Sequence, residues 1–287
     1  MPSSFLGLNY GHQFEPNTID TYLDQVKKDL ENFNEWGISA LRIAYPVYDG
    51  PVGILMCQKI VEEALKYDFE VTWGVSTSGK LSAEKWHDFK EYMIKNIAPW
   101  AEQLKTKKLI LEIGNEEEYR ANNVTLTSRQ IQNDVQGEYS DAVRNVFHGV
   151  VSYSVSGEHI RNNSRENIPG WINTGKGNLS KVGFNIYYDL EDLLRQVQEK
   201  FGKDCSISEW GTPEGFTGDE ERDVEIVQSR MKIITDSDID RAHFFTWKGG
   251  AFSVDKKWGI CIPDEKHKDQ YHRAIRTILN QYIDSTL

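Results

Sequence analysis

The sequence predicts an α/β fold, a closed (β/α)8 TIM barrel built as a single domain over residues 1–287. Three observations predict it. Short β-branched apolar runs alternate with long amphipathic ones, the pattern of a parallel sheet covered by helices. The strand–helix unit recurs eight times at even spacing, with no Pro/Gly-rich linker to mark a second domain. An open, doubly wound sheet would carry a glycine-rich turn after the first strand, and Gly7 and Gly11 do not make GxGxxG.

The first strand is Phe5–Tyr10. Helical spacing follows from Thr18, with Ile19, Tyr22, Leu23, Val26, Leu30 and Phe33 on one face and Gly37 ending it. Ser39–Tyr45 is the second strand, followed by a helix over Ile54–Tyr67. Phe69–Val75 is the third, followed by a long helix over Ala83–Leu104. Lys108–Gly114 is the fourth, with a helix over Ser128–Phe147. Gly149–Val155 is the fifth, and the polar stretch Arg161–Asn167 after it has poor helical periodicity. Val182–Tyr187, Asp204–Trp210 and Arg241–Trp247 complete the strands, with helices over Leu190–Phe201, Glu220–Ile234 and His267–Ile283.

Composition excludes several classes of function. The chain has 33 basic and 44 acidic side chains, a net charge of −11, and shows no basic patch interleaved with aromatics, so no nucleic-acid partner is expected. No run of about 18 apolar residues occurs, so no membrane span is expected. Cys57, Cys205 and Cys261 are too few and too scattered for a disulfide framework or a CxxC site. The histidines form neither HExxH nor His-x-His, so no metal and no cofactor are expected. A serine hydrolase lacks its Gly-x-Ser-x-Gly elbow, and Gly249-Gly250 lacks the pattern of a phosphate loop. The first residues have neither a basic n-region nor a long apolar h-region, which points to a cytoplasmic protein, or a secreted one whose leader has been removed.

Aromatics are abundant, with 8 Trp, 13 Tyr and 12 Phe, so their positions matter. Trp36, Trp86 and Trp100 fall on helix faces and read as packing. Barrel chemistry sits at the C-terminal strand ends. Those ends carry Asn9 and Tyr10, Arg42 and Tyr45, Trp73, Asn115 and Glu116, Tyr153, Tyr187, Glu209 and Trp210, and Trp247. Two carboxylates on facing strands among aromatics suit glycoside hydrolysis, where one group protonates the leaving oxygen and the other attacks or activates water. The competing readings are a solvated acidic loop for Glu116–Glu118 and an ordinary barrel-lining ion pair for Glu209. Tyr10, Tyr45 and Trp258 suit packing as well as sugar stacking, His243 suits a core position, and Glu158-His159 is a reserve pair.

Here a resemblance enters. Leu111-Glu-Ile-Gly-Asn-Glu116 resembles the Asn–Glu signature of the clan A glycoside hydrolases, and Ile207-Ser-Glu-Trp-Gly211 resembles their nucleophile strand. Gly7-Leu-Asn9, Arg42, Glu112 and Trp247 are most similar to family five, the cellulases, mannanases and relatives. Leu6–Gly11 and Gly114–Glu116 are also similar to β-1,3-glucanase-type members of the clan. Family five usually has Asn–Glu–Pro where this chain has Asn115-Glu116-Glu117. The family's histidine after strand three is missing from Trp73–Thr77, and its strand-six histidine from Asn185–Tyr187.

The resemblance implies a retaining hydrolase of β-linked glucan or mannan-type oligo- or polysaccharides. It makes Glu116 the acid/base and Glu209 the nucleophile, ionised and held by Arg42 and Tyr187. Asn115 would meet the sugar 2-hydroxyl, Trp247 would floor the reacting sugar, and Asn9, Trp73 and Trp210 would join Arg42 and Tyr187 around the substrate. Arg42 has Glu112 as a rival partner. A non-catalytic carbohydrate-binding barrel and a transglycosylase are the alternatives. Sugar identity, linkage, endo or exo action and oligomeric state depend on the loops 117–127, 157–181 and 248–263.

Overall fold

In the computed structural model, which describes residues 6–10, 19–35, 37–46, 51–77, 79–156, 167–212 and 219–245, eight parallel strands close into a barrel in chain order. They are β1 (Leu6–Tyr10), β2 (Ala40–Pro46), β3 (Glu70–Ser76), β4 (Leu109–Asn115), β5 (Val150–Val155), β6 (Lys181–Asn185), β7 (Cys205–Trp210) and β8 (Ala242–Phe244). The ring closes where β8 pairs with β1, Gly7 opposite His243. All eight predicted strands are present. The last helix expected over His267–Ile283 lies outside the described residues.

The helices are α1 (Ile19–Glu35), α2 (Pro51–Lys66), α3 (Ala83–Tyr92), α4 (Ala98–Gln103), α5 (Glu117–Arg120), α6 (Ser128–Gln136), α7 (Glu138–Arg144), α8 (Asn167–Thr174), α9 (Leu190–Phe201) and α10 (Glu220–Thr235). Two long helices expected from periodicity are divided. Between α3 and α4 a π-helical turn, Met93–Ile97, shifts the ladder so that Ala98 N–H donates to Met93 O. Pro99 follows at once; lacking an N–H, it cannot continue the α-helical ladder through this turn. Gly137 separates α6 from α7 with φ −128° and ψ −116°, outside helical space. The start of α6 is fixed by a capping box between Thr127 and Gln130. Helix α8 was not visible in the periodicity, because it begins where the polar stretch ends.

Strand alternation decides which side chains enter the barrel. Arg42 pairs with Thr72, and Thr72 with Ile110, so these face the axis with Glu112, Ser152, Ser208 and His243. The neighbouring row Ile43, Trp73 and Leu111 faces the helices. Trp73 packs edge-on against Trp100 of α4 with centroids 4.8 Å apart, and Trp210 against Phe244 at 4.9 Å. Each such buried ring contributes about 1.5–3 kcal/mol by leaving water, so the outer layer carries the hydrophobic core and the inner layer is free to be polar.

Register slips at two strand ends that matter. Opposite β5, the step from Glu112 to Asn115 on β4 spans three residues against two, Ser152 to Ser154. Opposite β6, Ile207 to Glu209 on β7 spans two residues against one, Phe184 to Asn185. A bulge re-aims the side chains beyond it, and here it brings Asn115 and Glu209 inward together with Asn185.

The inner layer is built from small groups. Ser154 Oγ donates to Glu112 Oε2 at 2.6 Å and meets Ser208 Oγ at 2.5 Å. This packing needs glycine at 183, where a Cβ would lie 1.9 Å from Ser208 Oγ and 2.7 Å from Ser154 Oγ. Gly183→Ala is therefore expected to lower unfolding free energy by about 1–3 kcal/mol. Urea unfolding checks this; an unchanged midpoint and slope would contradict the close approach.

Candidate active site

At the C-terminal mouth of the barrel one cation organises two carboxylates. Arg42 has no exposed surface, and the guanidinium has five N–H donors. Nε donates to Glu112 Oε2 at 2.9 Å. Nη1 donates to Asn9 Oδ1 at 2.9 Å and to Glu209 Oε1 at 2.7 Å. Nη2 donates to Glu112 Oε1 at 2.5 Å and to Asn115 Oδ1 at 3.0 Å. Every donor is thus committed to protein. Burial pulls the Arg42 pKa down, but Glu112 and Glu209 more than offset it and hold the group above its ordinary value, so it is charged throughout.

Glu209 is 9% exposed and receives a second hydrogen bond, from Tyr187 OH to Oε2 at 2.8 Å. Burial first, and then the Glu209 charge, push the Tyr187 phenol well above 10, so it stays a donor. Across the mouth, Asn185 Nδ2 donates to Glu116 Oε1 at 2.8 Å and to Asn115 Oδ1 at 3.0 Å. The two glutamates are therefore ends of one unbroken relay: Glu116, Asn185, Asn115, Arg42, Glu209. Asn185 is a member of this relay that the sequence did not single out, beyond its standing where family five places a histidine. Its amide count was the available signal: two N–H donors can bridge two acceptors.

Glu116 itself sits in the left-handed region, φ 57° and ψ 30°. For a residue with a Cβ this costs about 1–2 kcal/mol, so the surroundings must enforce it. Its N–H donates to Ser154 O at 2.9 Å, and its carbonyl accepts from Tyr119 N–H at 3.1 Å. The two glutamates that follow are not a solvated loop. Glu117 is fully buried and accepts from Thr77 N at 2.8 Å and from Thr77 Oγ1. Glu118 accepts from Ser156 N at 2.7 Å and from the Tyr153 hydroxyl, which also accepts from Glu117 N at 2.9 Å. Burial raises the Glu117 carboxyl above its usual range and lifts Glu118 to about 7, against the pull of Tyr153 and Ser156.

The expected residues sort into three groups. Glu116, Asn115, Tyr187 and Glu209 meet at the mouth. Asn9 and Arg42 are fully buried beneath it and have turned to support: Asn9 Nδ2 donates to Ser208 O at 3.0 Å while its Oδ1 receives Arg42. Trp73 and Trp210 do not line the mouth as expected. They are at most 1% exposed and point outward into the helix layer, because the pleat turns them away from the side that Arg42 and Glu209 occupy. Tyr10 likewise packs outward, on Phe33 with its hydroxyl 2.9 Å from Asp29 Oδ2. Trp247, Trp258, Glu158-His159 and Gly249-Gly250 lie outside the described residues, as does the side chain of Tyr45. His243 is a core residue that burial drives down to about 3, so it is neutral. Among the described residues no group of three or more His, Cys, Asp and Glu could hold a metal ion.

No family model matches the sequence, and no curated protein matches it. Solved structures do share its fold. A GH5-4 broad-specificity endoglucanase from Clostridium longisporum superposes with TM-score 0.71 at 11% identity, over 99% of this chain and 97% of that one. A GH113 β-mannanase from Alicyclobacillus acidocaldarius gives TM-score 0.68 at 12% identity, over 98% and 97%. An exo-β-1,4-mannosidase from an Opitutaceae bacterium gives 0.73 at 9% identity, over 98% of this chain and 59% of that one. These likenesses establish the barrel fold.

Two outcomes test the electrostatics. Arg42→Met strands Glu112 and Glu209 without their cation, and should lower unfolding free energy by about 3–5 kcal/mol, read by denaturant unfolding. For Glu118, the folded-state pKa near 7 exceeds the ordinary 4.5. The protonated form is thus favoured by folding, and its stabilisation is lost as pH rises from 4.5 through about 7. The stability of the native protein relative to Glu118→Gln should decline across that window and stay level above it; a pH-independent difference would contradict the assignment.

Proposed function

We propose that the chain, acting as one catalytic domain, is a retaining glycoside hydrolase that cleaves β-linked glucan or mannan-type oligo- or polysaccharides by double displacement. The observation that carries this reading is the relay that joins Glu116 to Glu209 across the mouth. It joins two carboxyl groups held in different surroundings, Glu209 by Arg42 and Tyr187 and Glu116 by Asn185, which supports the division of labour that acid and nucleophile need. The endoglucanase and mannanase activities named for structures of the same fold support the substrate class.

In the first step a Glu209 oxygen attacks the anomeric carbon while Glu116 gives its proton to the departing glycosidic oxygen. Arg42 and Tyr187 each hold one Glu209 oxygen, so the carboxylate is oriented before substrate arrives. In the second step Glu116, now ionised, takes a proton from water, whose oxygen attacks the anomeric carbon and releases Glu209. Asn115 Oδ1 is occupied twice, by Arg42 and Asn185, which fixes the amide and presents Nδ2 to the sugar 2-hydroxyl. Trp247 follows β8 in sequence and is assigned the hydrophobic floor.

Glu209→Gln should abolish hydrolysis of aryl β-glucosides and β-mannosides. Glu116→Gln should cost about 10²–10⁴-fold in kcat, with a smaller loss on substrates whose leaving group needs no proton. Release of the aryl group by the purified variants checks both. If each variant keeps native turnover, the site is misassigned; longer oligosaccharides among the products would identify transglycosylation instead.

A further inference from the structure

Proline usually follows the Asn–Glu pair in family five, and here two buried glutamates follow it. We propose that Glu117 and Glu118 are positioning residues for the acid/base: together they clamp the ends of β3 and β5 to α5 and hold Glu116 in its left-handed conformation. This inference rests on the role assigned to Glu116.

The geometry is reciprocal. Glu117 reaches back to the end of β3 through Thr77 N and Oγ1. Glu118 reaches to the end of β5 through Ser156 N. The Tyr153 hydroxyl joins them, donating to the Glu118 carboxyl and accepting from Glu117 N. That hydroxyl is itself immobilised. The ring stacks on Trp171 of α8 with centroids 5.4 Å apart and planes 13° apart. Gly114 also lies against it, where a Cβ would be 2.7 Å from Tyr153 Cε2 and 3.1 Å from Glu117 Cγ. Arg120 closes the segment by donating to Asn115 O, 3.9 Å from Glu117 Oε1. The backbone on both sides of Glu116 is thus anchored to neighbouring strands. A four-residue helix could not hold that conformation alone.

The clamp also carries charge. The groups facing the Glu118 carboxyl are Glu116 and Arg120 on its own segment, the phenol of Tyr153 on β5 and the N–H of Ser156 beyond it. Glu116 disfavours ionisation of Glu118. By reciprocity a charge on Glu118 favours the protonated, acid form of Glu116. Ionisation of Glu118 near 7 would then extend the working range of the acid toward higher pH.

The test is the pH dependence of kcat and KM on an aryl β-glycoside, with thermal unfolding as a check on folding. Glu117→Ala and Glu118→Ala should lower kcat about 10-fold to 100-fold with KM within about twofold. Glu117→Gln should recover most of the loss, because its amide oxygen still accepts from Thr77 N. Glu118→Gln keeps the shape but never ionises, so the alkaline limb of kcat/KM should move to lower pH. If the Ala variants do not fold, the Gln pair decides. Native kcat in folded Ala variants or, where these do not fold, an unmoved alkaline limb in Glu118→Gln overturns the proposal while leaving the hydrolase reading intact. Native protein with no turnover of any β-glycoside removes the hydrolase reading and this one with it.

Discussion

The structure depends on one buried guanidinium. Arg42 stands where β1, β2, β4 and β7 converge, and it is the cation that makes a barrel interior with two carboxylates possible. An isolated ionised group at that depth would be driven neutral or destabilise the fold by several kcal/mol. Arg42 solves this with geometry as well as charge. Its planar fork meets Glu112 through two bonds and still reaches Glu209, Asn9 and Asn115. Lysine, a single point charge with three donors, could not hold four side chains in fixed directions.

What lies below and around the guanidinium follows from that choice. Ser154 bonds the inner carboxylate and meets Ser208, and Gly183 is small because the two serines need the room. Since the interior is spent on polar groups, apolar burial moves outward. Trp73, Trp210 and Tyr10 then serve the interface between strands and helices, not the mouth. Stability and chemistry therefore occupy the two faces of the same strands.

Backbone irregularity completes the mouth. Regular alternation would alternate Asn115 and Glu209 out of register with their neighbours, and the bulges on β4 and β7 bring both to the inside. Glu116 then departs from the strand in a left-handed turn, held by hydrogen bonds from elements on either side. Strain of this kind persists only where its surroundings over-determine it, and it gathers at functional positions. Glu117 and Glu118 provide that surrounding here.

The barrel and the two carboxylates proposed to carry the reaction were legible in the sequence because both are local signals. Eight alternations of apolar run and amphipathic helix need no knowledge of contacts, and Asn115-Glu116 and Glu209-Trp210 occupy short strand ends that the alternation itself locates. Side-chain direction was not local. Trp210 ends β7, yet pleat and register send it outward, and Trp73, in the middle of β3, turns the same way. A run of three glutamates reads as solvated until Thr77, Tyr153 and Ser156, on and just beyond other strands, donate hydrogen bonds to two of them. Asn185 likewise acquires its place only when β6 lies between β5 and β7. Composition and periodicity determined how many strands there are and which residues end them. Tertiary pairing alone decided which of those residues share a volume, because burial and hydrogen bonding depend on neighbours far away in the chain.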